Sequence, residues 1–258
     1  MHHNSPWFIF DKKPGPDDMI LFCLHFAGGT AALFREWQPY APPGVVVCRV
    51  QLPGHGTRMG EALLTDMPSV VEALAYALCP WLGHRYSFFG HSMGGTIAAE
   101  WTIRLQTEGL PLPARLFISA SEPTHRRWRP TYRDYSSKQF RELLFNNGGA
   151  PREVLENEEL MEIFEPIIRA DYTVLETWSP QPIRSIHAPI TVFAGQEDHV
   201  VPKEVVAHWK LFAAASWQMK MMPGGHFFIQ THADLIRDTV FGELQPLMKE
   251  AHYVLHDA

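Results

Sequence analysis

The sequence predicts an α/β fold: a mostly parallel sheet that carries helices on both faces and is interrupted by a helical insertion. Short apolar runs rich in β-branched and aromatic residues recur along the chain, and segments with helical spacing of apolar residues lie between them. One long stretch, residues 121–180, contains helical patterns alone. A chain of 258 residues has the length of a single domain of this class.

Six apolar runs are predicted strands, at residues 19–24, 44–50, 85–90, 115–120, 189–194 and 216–222. Most are nearly continuously apolar, which is typical of strands buried on both faces. Segments with helical periodicity lie between them, at residues 69–82, 95–109, 202–215 and 234–250. Because helices alternate with strands, we expect the strands to run parallel.

Residues 121–180 break this alternation. The helical patterns SSKQFRELLFNN and NEELMEIFEPIIRADYTVLETW are separated by GGAP, and the stretch stands between two predicted strands. We therefore expect a single domain over residues 1–258, with residues 121–180 inserted as a helical lid over the carboxyl edge of the sheet. Such lids exclude water and select substrates, and an ordinary structural subdomain is the alternative.

Composition excludes several classes of function. The formal net charge of −6 argues against a nucleic-acid binder, which usually carries a basic excess. The three cysteines are far apart in apolar runs, so they predict buried free thiols in a reducing compartment, with neither a disulfide framework nor a zinc site. No apolar run approaches the ~18 residues that span a bilayer, and we expect a soluble, cytoplasmic protein.

The stretch YSFFGHSMGGTIAAE contains the motif G-x-S-x-G, from Gly90 to Gly94, with an apolar strand before it and a helix after it. This context predicts a nucleophile elbow, a sharp strand-to-helix turn that exposes a serine above the sheet. The glycines allow the strained backbone and the close approach of the helix to the strand. Ser92 is the predicted nucleophile, and the amide of Met93 is a predicted oxyanion donor.

A serine hydroxyl needs a base, and in folds with this elbow the chain order is serine, carboxylate, histidine. His226 follows an apolar strand and two glycines in MMPGGHFFI and is the predicted base, ahead of His199 and His232. Asp198 follows the strand PITVFAG and is the predicted acid, with Glu197 as the alternative.

A second oxyanion donor is expected from the glycine-containing loop after the first long strand, in LHFAGGTAALFREW. The amide of Ala27 is the first choice and that of Phe26 the alternative. His25 is expected to pack within this loop. The chain has no G-x-x-x-x-G-K-[ST], G-x-G-x-x-G or H-E-x-x-H motif, so neither a metal nor an organic cofactor is expected.

Several segments together resemble the type II thioesterases that accompany nonribosomal peptide and polyketide synthetases, within the α/β-hydrolase superfamily. These segments are LHFAGGTAALFREW, VQLPGHGTRMGE, FFGHSMGG, GAPREVLENEELMEIFEPIIRADYTVLETW, VFAGQEDHVVP and MPGGHFFI. The resemblance covers residues 19–240 and places the family's nucleophile, acid and base on Ser92, Asp198 and His226, and its oxyanion donors on Met93 and Ala27. The family's first loop often reads P-H-A-G-G, whereas this chain has H-F-A-G-G and lacks that proline.

The resemblance implies hydrolysis of acyl groups from the phosphopantetheine arm of a carrier protein, which clears misloaded or stalled units from an assembly line. It implies acyl or peptidyl carrier proteins as partners, and we expect the enzyme itself to be a monomer. Carrier proteins are generally acidic, so the arginines at the start of the insertion are a candidate docking surface, with a solvated loop as the alternative: Arg126, Arg127, Arg129 and Arg133.

Two other functions are compatible with the residues. The first is a carboxylesterase or lipase-like hydrolase on the same fold, which would act on small oxygen esters without a carrier protein. The second is a binding protein that keeps the fold without catalysis. The presence of Ser92, Asp198 and His226 in the required order argues against a non-catalytic protein.

Overall fold

A computed structural model describes residues 5–126 and 130–256. Within these residues, seven strands form one sheet in the order β1-β3-β2-β4-β5-β6-β7. The strands are β1 (Phe8–Phe10), β2 (Met19–Leu24), β3 (Val45–Val50), β4 (Tyr86–His91), β5 (Leu116–Ser119), β6 (Ile190–Gly195) and β7 (Trp217–Met222). Only β1 and β3 pair antiparallel among these strands, so the predicted α/β class with a mostly parallel sheet is confirmed.

The α-helices of the described residues follow the predicted periodicity closely. They are α1 (Met67–Leu78), α2 (Met93–Thr107), α3 (Ser137–Asn146), α4 (Arg152–Leu155), α5 (Glu158–Trp178), α6 (Lys203–Val206), α7 (Phe228–Thr231) and α8 (Ala233–His256). None of the described helices combines the length and apolarity needed to cross a membrane.

Four elements differ from the sequence prediction, two of them being the single-turn helices α4 and α7, which correspond to no predicted segment. Strand β1 was not predicted, because three residues are too few to form a recognisable apolar run. The helix predicted over residues 202–215 is a single α-helical turn, α6, that continues as a 3-10 helix over Ala207–Phe212. Because residues three apart align in a 3-10 helix, Trp209 and Phe212 both face the core there.

Both faces of the sheet are buried, which explains the continuous apolarity of its strands. In β2, Ile20, Phe22 and Leu24 belong to the core beneath α1 and α2. The alternate residues of the same strand, such as Leu21, belong to the core beneath α8. Successive side chains of a strand point to opposite faces, so a strand covered on both sides needs apolar residues at every position.

The segment between β5 and β6 forms no strand among its described residues, and it contains α3, α4 and α5. These helices enclose a small apolar core of their own, formed by Tyr132, Phe140, Leu144, Leu155 and Met161. Near the end of α5, Val174 packs into the main core. The insertion is therefore joined to the sheet domain chiefly through α5.

Candidate active site

Ser92 lies between the last residue of β4 and the first residue of α2, at the carboxyl edge of the sheet. Its backbone has φ 52° and ψ −117°, a left-handed conformation that is strained for a residue with a side chain. The tight turn requires Gly90, because a Cβ atom there would clash with the backbone carbonyl of Gly94. The strain at Ser92 is thus held by the packing of α2 directly against β4.

His226 connects the serine to a carboxylate through two hydrogen bonds. The Ser92 hydroxyl lies 2.9 Å from His226 Nε2 and can donate to it. The opposite ring nitrogen, Nδ1, lies 2.9 Å from Asp198 Oδ2, which accepts its proton. Asp198 and His226 follow β6 and β7 and are buried, so the ends of three strands bring the three side chains together.

The second oxygen of Asp198 is also held. Oδ1 accepts hydrogen bonds of 2.8 Å from the amides of both Val200 and Val201. With both oxygens engaged, the carboxylate has one orientation, which aims Oδ2 at the imidazole. An acid fixed in this way determines which ring nitrogen of the histidine carries the proton.

The alternatives for acid and base lie away from this chain of hydrogen bonds. Glu197 is exposed, and only its backbone contributes, donating to the Gly224 carbonyl at 3.0 Å. His199 is also exposed. His232 makes a 2.9 Å hydrogen bond between Nδ1 and the Thr231 hydroxyl.

The loop after β2 lies beside Ser92 and contains the predicted oxyanion donors Ala27 and Phe26. Ala27 and Phe26 line the same cavity as Ser92, and within the described part of the chain the Ala27 amide has no hydrogen-bond acceptor. The adjacent Gly28 amide donates to Asp171 Oδ2 at 2.7 Å. The Met93 amide lies at the start of α2, where backbone N–H groups lack partners within the helix.

Asp171 also links this loop to a second buried histidine. It lies on α5 of the insertion, is 2% exposed, and its Oδ2 is 2.9 Å from His55 Nε2. The ring of His55 lies beside that of His25, with centroids 5.0 Å apart. Asp171 and His55 lie in the segments GAPREVLENEELMEIFEPIIRADYTVLETW and VQLPGHGTRMGE, where the sequence predicts no role for either residue, and their contact spans 116 positions of the chain.

Hydrogen-bond partners indicate that His55 is a cation. Nε2 faces the Asp171 carboxylate and Nδ1 lies 2.9 Å from the Pro53 carbonyl, so both ring nitrogens face acceptors and both must carry protons. Burial lowers the pKa of His55, but the hydrogen bond and charge of Asp171 outweigh it and raise the pKa above 6.5. His25 is the opposite case, because burial and then the charge of His55 lower its pKa to about 4.

A cavity that is partly open to solvent lies above the serine. Its floor includes Ser92 and His226, and its walls are mainly apolar side chains of the insertion, among them Leu144, Met161 and Ile168. An apolar cavity with a few convergent polar groups is the usual form of a small-ligand site. The insertion thus supplies most of the surface that an acyl group would contact.

The charges of the insertion are distributed unevenly. Arg126 and Arg133 are exposed, while Arg127 and Arg129 lie outside the described residues. Of the insertion's glutamates, Glu165 is buried between Arg141 and Arg169, with N–O distances of 3.2 and 2.9 Å. Among the described residues, no group of three histidine, cysteine or acidic side chains is placed to hold a metal ion.

The chain is similar to known proteins over most of its length. The family model of the thioesterase domain matches residues 19–244. The chain is 33% identical over 255 residues to linear gramicidin dehydrogenase LgrE of Brevibacillus parabrevis. The match covers 94% of this chain and 95% of LgrE.

Two solved structures are also similar. ClbQ from the colibactin NRPS/PKS pathway has a TM-score of 0.82 and 29% identity, over 89% of this chain and 98% of ClbQ. The type II thioesterase BorB from the borrelidin biosynthetic cluster has a TM-score of 0.82 and 28% identity, over 96% of this chain and 100% of BorB. LgrE is named as a dehydrogenase, whereas the serine, histidine and carboxylate described above are the groups used in acyl transfer.

Proposed function

The chain belongs to the thioesterase family, and from that premise we propose that it is a type II thioesterase of nonribosomal peptide and polyketide biosynthesis. It hydrolyses acyl groups from the phosphopantetheine arm of carrier proteins and so clears misloaded or stalled units. The observation that carries the proposal is the hydrogen-bonded chain Ser92–His226–Asp198 on the floor of an apolar cavity.

Ser92 is the nucleophile in this proposal. His226 Nε2 takes the hydroxyl proton as Oγ attacks the thioester carbonyl, and the imidazolium is stabilised by Asp198. Collapse of the tetrahedral intermediate breaks the C–S bond, and the His226 imidazolium gives its proton to the departing sulfur, so the arm leaves as a thiol. Water, deprotonated by the neutral His226, then attacks the acyl-serine ester, and the imidazolium returns the proton to Ser92 Oγ as the carboxylic acid is released. These steps require no metal or cofactor of the enzyme's own.

The amides of Met93 and Ala27 are the proposed oxyanion donors. Both lie beside Ser92, one at the start of α2 and the other in the loop after β2. A preorganised pair of donors stabilises the charge that develops on the carbonyl oxygen, and removal of one donor typically costs about 10²–10³ in kcat. The Gly28–Asp171 hydrogen bond supports the proposal because it holds the adjacent peptide of a loop that lacks the family's proline.

The carrier protein is the proposed partner, and the insertion is the side from which it approaches. Arg126 and Arg133 are exposed at the start of that segment and would attract an acidic partner. If they contribute to docking, the double substitution R126E/R133E raises KM for an acyl-carrier protein and leaves KM for a small thioester unchanged. An equal effect on both substrates would contradict this docking surface.

The test of the function compares two substrates and two proteins. Native enzyme and Ser92→Ala are assayed with an acyl group loaded on a carrier protein and with a p-nitrophenyl ester of the same acyl group. We expect a higher kcat/KM for the carrier-bound thioester, and loss of both activities in Ser92→Ala. Hydrolysis of the free ester alone would favour a carboxylesterase, and activity independent of Ser92 would refute the site.

A further inference from the structure

His91 is a buried polar side chain beside the site that the proposed mechanism does not use. It is the last residue of β4, it precedes Ser92 directly, and its side chain is fully buried. Building on the proposed function, we infer that His91 is a positioning residue: it ties the loop that carries His226 to the strand that carries the nucleophile.

The tie is a hydrogen bond to the backbone of the base itself. His91 Nε2 lies 2.9 Å from the carbonyl oxygen of His226, 135 positions away along the chain. A carbonyl oxygen only accepts, so Nε2 must carry the proton. The residue before the nucleophile therefore holds the residue that must deprotonate the nucleophile.

A second contact holds the other side of the ring. His91 Nδ1 lies 2.9 Å from the hydroxyl of Ser119, which is opposite His91 in the pairing of β4 with β5. With the proton on Nε2, Nδ1 is an acceptor, and the Ser119 hydroxyl donates to it. The His226 carbonyl thus determines which nitrogen donates, and Ser119 on the adjacent strand helps to fix the position of the ring.

The loop that carries His226 needs such support because two glycines precede the histidine. Gly224 has φ +90°, and its carbonyl accepts a hydrogen bond of 3.0 Å from the amide of Glu197. Because Glu197 directly precedes Asp198, this bond joins the loop to the segment that carries the proposed acid. The contact from His91 joins the same loop to the nucleophile strand. Together these two contacts fix the base relative to both of its partners, Asp198 and Ser92.

His91 can act in this way only if it stays uncharged beside a histidine that becomes a cation. The two ring centroids are 5.7 Å apart. Burial, and then the charge of His226, lower the pKa of His91 well below 6.5. His91 therefore keeps its single proton on Nε2 throughout the reaction and adds no second positive charge next to the imidazolium of His226.

The test uses one variant that removes the donor and one that keeps it. His91→Leu fills the space without an N–H group, whereas His91→Gln offers a side-chain amide N–H to the same carbonyl. We expect kcat to fall about 10–100-fold in His91→Leu, because a small displacement of a catalytic group costs up to about 10² in rate. KM should stay unchanged, and His91→Gln should recover most of the lost kcat.

The loss should be equal for the acyl-carrier protein and for the p-nitrophenyl ester, because both reactions need His226 in place. Native kcat in His91→Leu, or equal impairment of the Leu and Gln variants, would overturn the inference. If His91→Leu does not fold, as judged by circular dichroism, His91→Met, which also lacks an N–H donor in its side chain, replaces it, and native kcat in that variant would overturn the inference equally. Failure of the proposed function is distinguishable, because it would show in native enzyme and Ser92→Ala before any His91 variant is assayed.

Discussion

The carboxyl edge of the sheet and the helical insertion both contribute to the site, but they are positioned by different means. Ser92, Asp198 and His226 follow three parallel strands, and contacts with backbone groups orient the turn, the proposed acid and the proposed base. The insertion has a small core of its own and holds the loop after β2 with the buried carboxylate of Asp171.

Because of this difference, we expect the sheet edge to determine the rate of the reaction and the insertion to determine which substrates bind. Strand ends are held by a core that covers both faces of the sheet, so the proposed reacting groups sit on elements of the kind that open only with global unfolding. The cavity above Ser92 is lined mainly by the insertion, which has a separate small core. Substitutions at the sheet edge should therefore change rate or folding sharply, whereas substitutions in the insertion should act gradually and depend on conditions.

The largest expected effect is at the acid. Asp198→Asn removes the charge that orients and stabilises the imidazolium of His226, and we expect kcat to fall by about 10⁴. The matched control is Glu197→Gln, which changes the neighbouring exposed side chain and should keep the native rate. Steady-state kinetics on an acyl-carrier protein measure both. A small loss in Asp198→Asn together with a large one in Glu197→Gln would move the acid to Glu197.

The next largest expected effect is a loss of stability when Gly94, in the nucleophile elbow, is substituted. A Cβ atom on Gly94 would collide with the backbone carbonyls of Leu24 and His25, which cannot move without disturbing β2. We expect Gly94→Ala to lower the free energy of unfolding by about 3 kcal/mol.

Gly242 provides the control for this substitution, since it also lies in a helix and a Cβ atom there would meet nothing within 4 Å. Gly242→Ala should raise the free energy of unfolding by about 0.5–1 kcal/mol. Denaturant unfolding of both variants checks the pair. If Gly94→Ala also stabilised the protein, the close contact between α2 and β2 would be refuted.

The same contrast explains what the sequence could and could not predict. The strands, the elbow and the candidates Ser92, Asp198 and His226 follow from local patterns, because apolar runs, glycines and chain order are all written in short segments. The contacts of Asp171 with His55, and of His91 with His226, join positions 116 and 135 residues apart. Each pair becomes recognisable only when the fold brings its residues together. The charge of His55 and the neutral state of His91 depend on those contacts, so the sequence does not predict them either.

The smallest effect tests how the insertion is attached. Asp171→Asn keeps the shape of the side chain and an acceptor for the Gly28 amide, but it removes the charge that faces His55. A histidine with a raised pKa in the folded state adds stability that is full below its unfolded pKa of about 6.5 and is lost as the pH rises through the folded value. The variant should therefore be less stable than native protein by about 1–3 kcal/mol at about pH 5.5, with the difference narrowing towards pH 9.

The narrowing follows from the hydrogen bonds. Once His55 is neutral, one of its two ring nitrogens faces an acceptor without carrying a proton in the native protein and in the variant alike, so the ion pair no longer distinguishes the two proteins. Unfolding measured across this pH range decides the matter, with Asp234→Asn, an exposed partner of Arg237, as a control whose small effect should not vary with pH. A stability difference that grew with pH would mean that His55 is neutral in the folded protein. Asp171 holds Gly28 and not Ser92, so we expect the kcat of the folded Asp171→Asn variant at high pH to stay far closer to native than the kcat of Asp198→Asn. That result would locate the pH sensitivity of stability in the insertion and not at the sheet edge.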